Sequence, residues 1–254
     1  MSNFIQKVLN PFLSPAPLHH SQKETALLTP SLPPPSSAAG PDALEPVTII
    51  ELFQSQGCNS CPPANAALVA RASQNIPAEL LLTYEVTYWD YLGWADTFGD
   101  ARWDARQTAY ARALRQRSCY TPQVIVDGGA RPMGSGWRNL PAVLAAAKAG
   151  PVSRVGFELV GEGGRRGLKV TGGEGRALVL VVYYEAEPKP VKILRGENRG
   201  ETERYRNVVR DLKLLGTWEG GESVVELPER RNGLEMAVLV QAGNGGPILG
   251  AVRI

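Results

Sequence analysis

Two cysteines separated by two residues follow an apolar run, and this junction limits the fold more than any other feature of the sequence. The run at residues 47–53 is typical of a buried strand, and residues 64–73 have the alanine and leucine content of a helix. Cys58 and Cys61 lie between the two. A helix N-terminus favours a thiolate, and two cysteines at this spacing can close a small disulfide. The junction therefore predicts a redox-active dithiol.

The chain has three cysteines, of which Cys119 is the third. A secreted disulfide scaffold would contain more cysteines, and a complete zinc ribbon needs a second pair. We therefore interpret Cys58 and Cys61 as one functional pair that requires no resident cofactor or metal ion. The role of Cys119 stays open, since it could be a third redox thiol, a metal ligand or a small buried apolar residue.

Charge and hydropathy argue against two classes of partner. The formal net charge of +2 gives no surplus that would favour nucleic acid. The longest apolar stretches, such as residues 177–184, are too short to span a bilayer. The N-terminus lacks the apolar core of a secretory signal, and its first arginine is Arg71. We expect a cytoplasmic protein, with a mitochondrial location as the alternative.

The order of the patterns along the chain predicts three segments. Residues 1–46, rich in proline and serine, are expected to form a disordered leader. Residues 47–150 alternate strands and helices in the order of an α/β thioredoxin-like domain. Residues 151–254 contain short strand patterns between glycine-rich turns, which is typical of an antiparallel β-sandwich domain.

A long arginine-rich insertion interrupts the predicted sandwich at residues 192–218. Its arginines could bind an anionic partner. Interleaved glutamates largely cancel their charge, so we expect a solvated, salt-bridged hairpin.

The thioredoxin-like order assigns roles to the dithiol and to residues near it. Cys58, at the exposed start of the helix, is the predicted nucleophile, and Cys61 resolves the mixed disulfide. Pro122 begins the third core strand, where a cis-proline would leave the backbone of Thr121 available to an extended substrate. Glu51, on the strand before the dithiol, could be a buried carboxylate that accepts the proton of the resolving thiol. A solvated position at the sheet edge is the alternative for Glu51.

An aromatic loop at residues 88–94 follows the second predicted strand, at the sheet edge from which the dithiol also emerges. We expect Tyr88, Trp89, Asp90 and Trp94 to form one wall of the substrate site. A structural cap between the two domains is the alternative.

Four motifs together resemble a thioredoxin-like family of unknown function, domain family 1223. They are residues 51–63 around the dithiol and residues 88–94, 120–123 and 205–209. The resemblance covers nearly all of residues 47–254 and implies a thioredoxin-like fold with a β-rich C-terminal part. It implies no reaction, because the family is uncharacterised.

The chain departs from the family pattern at several positions. Glu85 and Thr87 stand where members often carry histidine and aspartate, and Cys119 stands where cysteine is not expected. The proline-rich leader takes the place of the export signal that many bacterial members carry.

These features favour a thiol–disulfide oxidoreductase that acts on a protein or small-thiol substrate. One alternative is a copper- or zinc-handling protein that uses the same two thiolates, to which Cys119 or Asp90 could add a ligand. A second alternative is a non-catalytic thioredoxin-like binding module that uses the aromatic loop. The patterns leave the oligomeric state and the direction of the redox reaction open.

Overall fold

The computed structural model describes residues 42–129, 136–149, 155–162 and 165–254. The predicted leader lies outside these ranges up to residue 41. The helices are α1 Pro62–Ala72, α2 Ala101–Ala113 and α3 Leu140–Ala149. The strands in chain order are β1 Ala43–Leu44, β2 Thr48–Gln54, β3 Glu79–Glu85, β4 Gln123–Val126, β5 Val155–Glu162, β6 Arg165–Gly172, β7 Ala177–Glu185, β8 Lys189–Lys192, β9 Thr202–Tyr205, β10 Val208–Trp218, β11 Glu222–Glu226, β12 Glu235–Gln241 and β13 Ile248–Arg253.

The main sheet has seven strands in the order β13-β12-β7-β10-β3-β2-β4. Strands β2 and β3 are parallel, and β4 runs antiparallel to β2. Helix α1 packs on one face of β2, where Leu68 meets Ile50 and Leu52. Helix α2 packs on the opposite face through Trp103 and Tyr110. Burial on both faces explains why β2 and β3 are almost continuous apolar runs.

Strand β10 joins the two halves of the chain in this sheet. It pairs antiparallel with β7 along its length and parallel with β3 at Val208 and Thr83. The turn before β10 is also hydrogen-bonded to β3. The Thr83 N–H donates to the carbonyl of Asn207 at 3.0 Å, and the Asn207 side-chain amide donates to the carbonyl of Leu81 at 2.8 Å.

The predicted boundary at residue 150 does not divide this sheet, and the described residues on both sides of it belong to one compact unit. The prediction treated residues 192–218 as a solvated hairpin because of their charges. In the structure the second half of that insertion is β10, and its charged side chains are paired. Arg210 contacts Glu185 at 2.8 Å, and Asp211 contacts Arg231 at 2.9 Å. A charged sequence thus forms a strand with a buried apolar face.

A second sheet, in the order β1-β5-β6-β11, packs against the main sheet. Phe157 and Leu168 on this sheet share a buried cluster with Val181, Trp218 and Val238 on the main sheet. The antiparallel strands after residue 155 are therefore layered as two sheets. Strand β1 pairs with β5, so a strand lies within the segment predicted as leader.

Four connections meet at the carboxyl-terminal ends of β2 and β3. They are the dithiol loop at residues 55–61, the loop between β3 and α2, the residues before β4, and the turn between β8 and β9. Among the described residues, no helix combines the length and the apolarity needed to cross a bilayer.

Candidate redox site

The dithiol loop leads directly from β2 into α1. Cys61 is the last residue before α1, and its carbonyl accepts the N–H groups of Ala64 and Asn65, both at 3.0 Å. Proline at the start of the helix costs no hydrogen bond, because the first N–H groups of a helix have no intrahelical partner. The local sequence therefore places the helix start beside both thiols.

Cys58 and Cys61 differ in acidity although both are buried. Cys58 is 2% exposed and Cys61 is 3% exposed, so the predicted exposed position of Cys58 is wrong. A hydrogen bond from the Cys61 thiol, helped by Ser60 and Thr121, lowers the pKa of Cys58 to about 6 against the opposing effect of burial. Burial and the adjacent Cys58 raise the pKa of Cys61 well above its ordinary value. At neutral pH the pair therefore consists of a Cys58 thiolate and a Cys61 thiol.

The residues before β4 contact the sulfur of Cys58. The Thr121–Pro122 peptide bond is cis, and the Thr121 carbonyl oxygen lies 3.8 Å from Cys58 Sγ and 3.3 Å from Ser60 Oγ. Ser60 Oγ is also 3.1 Å from Cys58 Sγ, so its hydroxyl can donate to the thiolate. The structure thus brings together Cys58, Thr121 and Pro122, which the sequence placed far apart.

Two tryptophans of the aromatic loop reach this site. Trp89 Nε1 donates to Thr121 Oγ1 at 2.7 Å, and Trp94 Nε1 donates to Gln56 Oε1 at 2.9 Å. Tyr91 is 77% exposed, and its ring stacks on Trp89 with the centroids 6.2 Å apart. The loop therefore forms a fixed wall beside the dithiol loop and presents an exposed aromatic face.

Tyr88 and Asp90, also selected from the sequence, are half-buried supports of this wall. Burial raises the pKa of Tyr88 above its ordinary value. Asp90 Oδ1 accepts the N–H of Asp96 at 3.0 Å, which closes the turn after the aromatic residues. Asp90 therefore has a local structural contact rather than one with the thiols.

Asn198, in the turn between β8 and β9, is a site residue that the sequence did not reveal. Its side-chain amide donates to the carbonyls of Gln56 at 2.8 Å and of Cys58 at 2.9 Å. The side chain is almost fully buried against the dithiol loop. It stands among arginines and glutamates in the sequence, and no pattern marks it.

A set of buried polar side chains lies beneath the dithiol loop. The Gln54 amide donates to Asn65 Oδ1 at 3.1 Å and to Glu85 Oε1 at 2.9 Å. Asp96 Oδ2 accepts the N–H of Gln56 at 2.7 Å. In the sequence Glu85 stood out as a departure from the family, and Asp96 as an acidic residue after the aromatic loop. Polar residues ending the apolar runs of β2 and β3 are the signal that could have indicated the others.

The structure does not place Glu51 beside Cys61, the thiol predicted to resolve the mixed disulfide. Side chains alternate along β2, so Glu51 faces α2, whereas Ile50 faces α1. The Glu51 carboxylate is fully buried, pairs with the Arg106 guanidinium at 2.8 Å and accepts a hydrogen bond from the Tyr110 hydroxyl. Its role in proton transfer is therefore corrected to a structural ion pair between β2 and α2.

Cys119 and Asp90 do not join the two thiols in a metal site. Within residues 42–129, 136–149, 155–162 and 165–254, no three His, Cys, Asp or Glu side chains converge as metal ligands would. Cys119 is half-buried, and its sulfur lies 3.8 Å from Thr108 Oγ1 on α2.

Comparison with known proteins places the chain among uncharacterised relatives. It is 31% identical to a protein of Agrobacterium tumefaciens with a crystal structure, with a TM-score of 0.69, over 83% of this chain and 95% of that one. HBP35 of Porphyromonas gingivalis is 12% identical with a TM-score of 0.51, over 83% of this chain and 75% of that one, and this likeness concerns the fold alone. A search of curated proteins finds no match. A family model matches residues 49–241, so the resemblance is confirmed: the chain belongs to the family described as Protein of unknown function (DUF1223).

Proposed function

We propose that the protein is a thiol–disulfide oxidoreductase in which Cys58 is the nucleophile and Cys61 the resolving thiol. The observation that carries this proposal is the opposite acidity of two thiols at one helix start. The pKa of Cys58 is lowered to about 6 and that of Cys61 is raised. A lowered pKa at a helix N-terminus is characteristic of reactive cysteines, whereas inert structural cysteines are buried without it.

The proposed reaction balances two electrons. The Cys58 thiolate attacks one sulfur of a substrate disulfide, forms a mixed disulfide and releases the other sulfur as a thiolate. Cys61 loses its proton to solvent and attacks Cys58 Sγ, which closes the Cys58–Cys61 disulfide and releases the second substrate thiolate. The protein loses two electrons, the substrate gains two, and solvent supplies the protons of the product thiols. The reverse sequence oxidises a substrate dithiol.

We infer that the substrate reaches Cys58 along the Thr121 backbone and the aromatic wall. The Thr121 carbonyl already contacts Cys58 Sγ, and the stacked rings of Trp89 and Tyr91 extend from Thr121 to the surface. A protein or a small thiol could use these groups, since backbone pairing and aromatic contacts do not depend on one side chain.

We also infer that β2, α1, β3, α2, β4 and α3 form a thioredoxin-like unit within the larger sheet. The support is the parallel pair β2–β3, the antiparallel β4, and helices on both faces. The dithiol emerges where β2 meets α1, and the strand after α2 begins beside it.

Disulfide exchange with oxidised glutathione and dithiothreitol tests the proposal. We expect Cys58→Ser to abolish exchange and Cys61→Ser to accumulate a mixed disulfide on Cys58, detectable by mass. Cys119→Ser is the matched control and should exchange at the rate of the unsubstituted protein. Exchange that survives in Cys58→Ser would contradict the proposal.

A further inference from the structure

Two carboxyl groups, Glu85 and Asp96, meet in the buried layer beneath the dithiol loop. Glu85 ends β3 and is fully buried, and Asp96 is 9% exposed in the loop that follows. The two side chains are within hydrogen-bonding distance of each other. Two ionised carboxylates cannot share such a site, because their repulsion adds to the cost of desolvating both charges. One of the pair must therefore carry a proton.

The hydrogen bonds around the pair decide which carboxyl is ionised. Both oxygens of Asp96 accept backbone N–H groups, Oδ2 from Gln56 at 2.7 Å and Oδ1 from Phe98 at 2.9 Å. Glu85 Oε1 accepts one amide hydrogen, from Gln54 at 2.9 Å, and Oε2 receives no donor from the described residues. A proton on Glu85 gives this carboxyl group a hydrogen that it can donate to Asp96, and it lowers the cost of leaving Oε2 without a donor. The proton therefore belongs to Glu85.

The charged and titratable groups around the pair agree with this assignment. They are Asp90 on the same loop, Tyr205 on β9, Arg210 on β10 and, beyond Tyr205, Glu203 and Cys61. Arg210 is the cation among them, and it already pairs with Glu185 at 2.8 Å. Burial, and then the negative charge of Asp96, raise the pKa of Glu85 well above its ordinary value.

Both members of the pair are connected to the dithiol through short hydrogen-bonded paths. Asp96 holds the backbone of Gln56, two residues before Cys58. Glu85 is bonded to Gln54, which is bonded to Asn65, whose own N–H donates to the carbonyl of Cys61. One path fixes the start of the dithiol loop, and the other fixes the start of α1.

We propose that Glu85 and Asp96 form a positioning pair for the dithiol, in which neutral Glu85 donates a hydrogen bond to ionised Asp96 through neutral pH. The pair holds the dithiol loop where Cys61, Ser60 and Thr121 can hydrogen-bond to Cys58. Its effect on disulfide exchange rests on the function proposed above. The protonation of Glu85 does not, because it depends only on burial and on neighbouring groups.

Glu85→Gln is the decisive variant because it mimics the protonated acid. Its amide can donate to Asp96 while its oxygen still accepts from Gln54. Glu85→Ala is the matched disruptive variant, because it removes both hydrogen bonds. We expect Glu85→Gln to leave the pH profile of Cys58 alkylation by iodoacetamide unchanged. In Glu85→Ala the profile should move to higher pH, and alkylation at pH 6 should slow about fivefold for a midpoint shift of about one unit.

Carbon-13 NMR of the glutamate carboxyls measures the protonation directly, with Glu85 assigned by its loss in Glu85→Gln. We expect Glu85 to keep the chemical shift of a protonated acid at pH 7. Titration near the ordinary glutamate value of about 4.3 would overturn the proposal. So would a Cys58 profile displaced equally by Glu85→Gln and Glu85→Ala. If Glu85→Ala does not fold, the NMR titration of Glu85 and the Cys58 alkylation profile of Glu85→Gln still test the proposal.

The NMR result also separates this proposal from the proposed function. A high Glu85 titration in a protein that exchanges no disulfides would support the pair and contradict the oxidoreductase. If Glu85 titrates near its ordinary pKa in a protein with full disulfide exchange, the result would contradict the pair and support the oxidoreductase.

Discussion

At the scale of single residues, the site depends on two identical side chains in different hydrogen-bonding environments. Cys58 accepts a hydrogen bond from the Cys61 thiol and faces Ser60 and Thr121, which lowers its pKa. The pKa of Cys61 is raised by burial and by the adjacent Cys58. Both residues are almost fully buried, so hydrogen bonds rather than solvation are the main stabilisation of the thiolate.

The acidity of Cys58 makes the stability of the reduced protein depend on pH. Its folded pKa is lowered, so the thiolate contributes stability that is present above the unfolded pKa and is lost as pH falls toward about 6. The free energy of unfolding of the unsubstituted protein, relative to Cys58→Ser, should therefore increase between about pH 6 and pH 9. Urea unfolding under reducing conditions measures it. A difference that is constant with pH would contradict the lowered pKa.

Ser60→Ala should make Cys58 less acidic. It removes a hydroxyl 3.1 Å from Cys58 Sγ, and a hydrogen bond to a charged group is worth about 1.5–3 kcal/mol, or roughly one pKa unit or more. The pH dependence of Cys58 alkylation should move upward accordingly. Asn59→Ala, at the exposed neighbouring position, is the control and should leave the profile in place.

At the scale of elements, the turn between β8 and β9 is a structural part of the dithiol loop. The Asn198 amide donates to the carbonyls of Gln56 and Cys58, and the Cys58 carbonyl also accepts the N–H of Cys61 at 3.2 Å. Removing Asn198 therefore leaves the buried Gln56 carbonyl without this donor. Asn198→Ala should therefore cost about 1–3 kcal/mol in the free energy of unfolding and raise the alkylation midpoint of Cys58. Arg199→Ala, at the exposed next position, is the control. Equal effects of the two substitutions would contradict the role of Asn198.

The packing of α2 on β2 depends on the buried pair of Arg106 and Glu51. Arg106 Nε contacts Glu51 Oε1 at 2.8 Å, and Arg106 Nη2 donates to the Tyr110 hydroxyl at 3.0 Å. Arg106→Met leaves the Glu51 charge unpaired, so it should cost about 3–5 kcal/mol in thermal or urea unfolding. The Cys58 alkylation profile of the folded variant should not change. A displaced profile would return Glu51 to the chemistry of the site.

At the scale of the whole molecule, one sheet unites segments that the sequence predicted as separate domains. Strand β3 lies between β2 and β10, and α2 covers Tyr84 from one half of the chain and Leu239 from the other. Residues 42–150 expressed alone should therefore lack cooperative unfolding, as judged by circular dichroism in urea. A fragment that unfolds cooperatively would show that residues 42–150 are an independent domain.

Local patterns predicted the parts of this molecule that local chemistry determines. The start of α1 follows from Cys61 and the prolines after it, and β4 begins directly after Pro122, where the sequence predicted the third core strand. The parallel contact of Val208 with Thr83, and that of Asn198 with Cys58, join residues far apart in the chain. No hydrophobic periodicity in the sequence indicates such contacts. The charges on β10 were misleading because their partners lie on other strands.

In the proposed function, Cys58 and Cys61 cycle between a dithiol and a disulfide. The most direct test is an equilibrium redox titration of Cys119→Ser protein in glutathione buffers, with alkylated and disulfide forms quantified by mass. We expect one reversible two-electron transition between about −270 and −120 mV, the range of related dithiols. Cys58→Ser should abolish this transition. A pair that forms no disulfide at any glutathione ratio would contradict the proposed function.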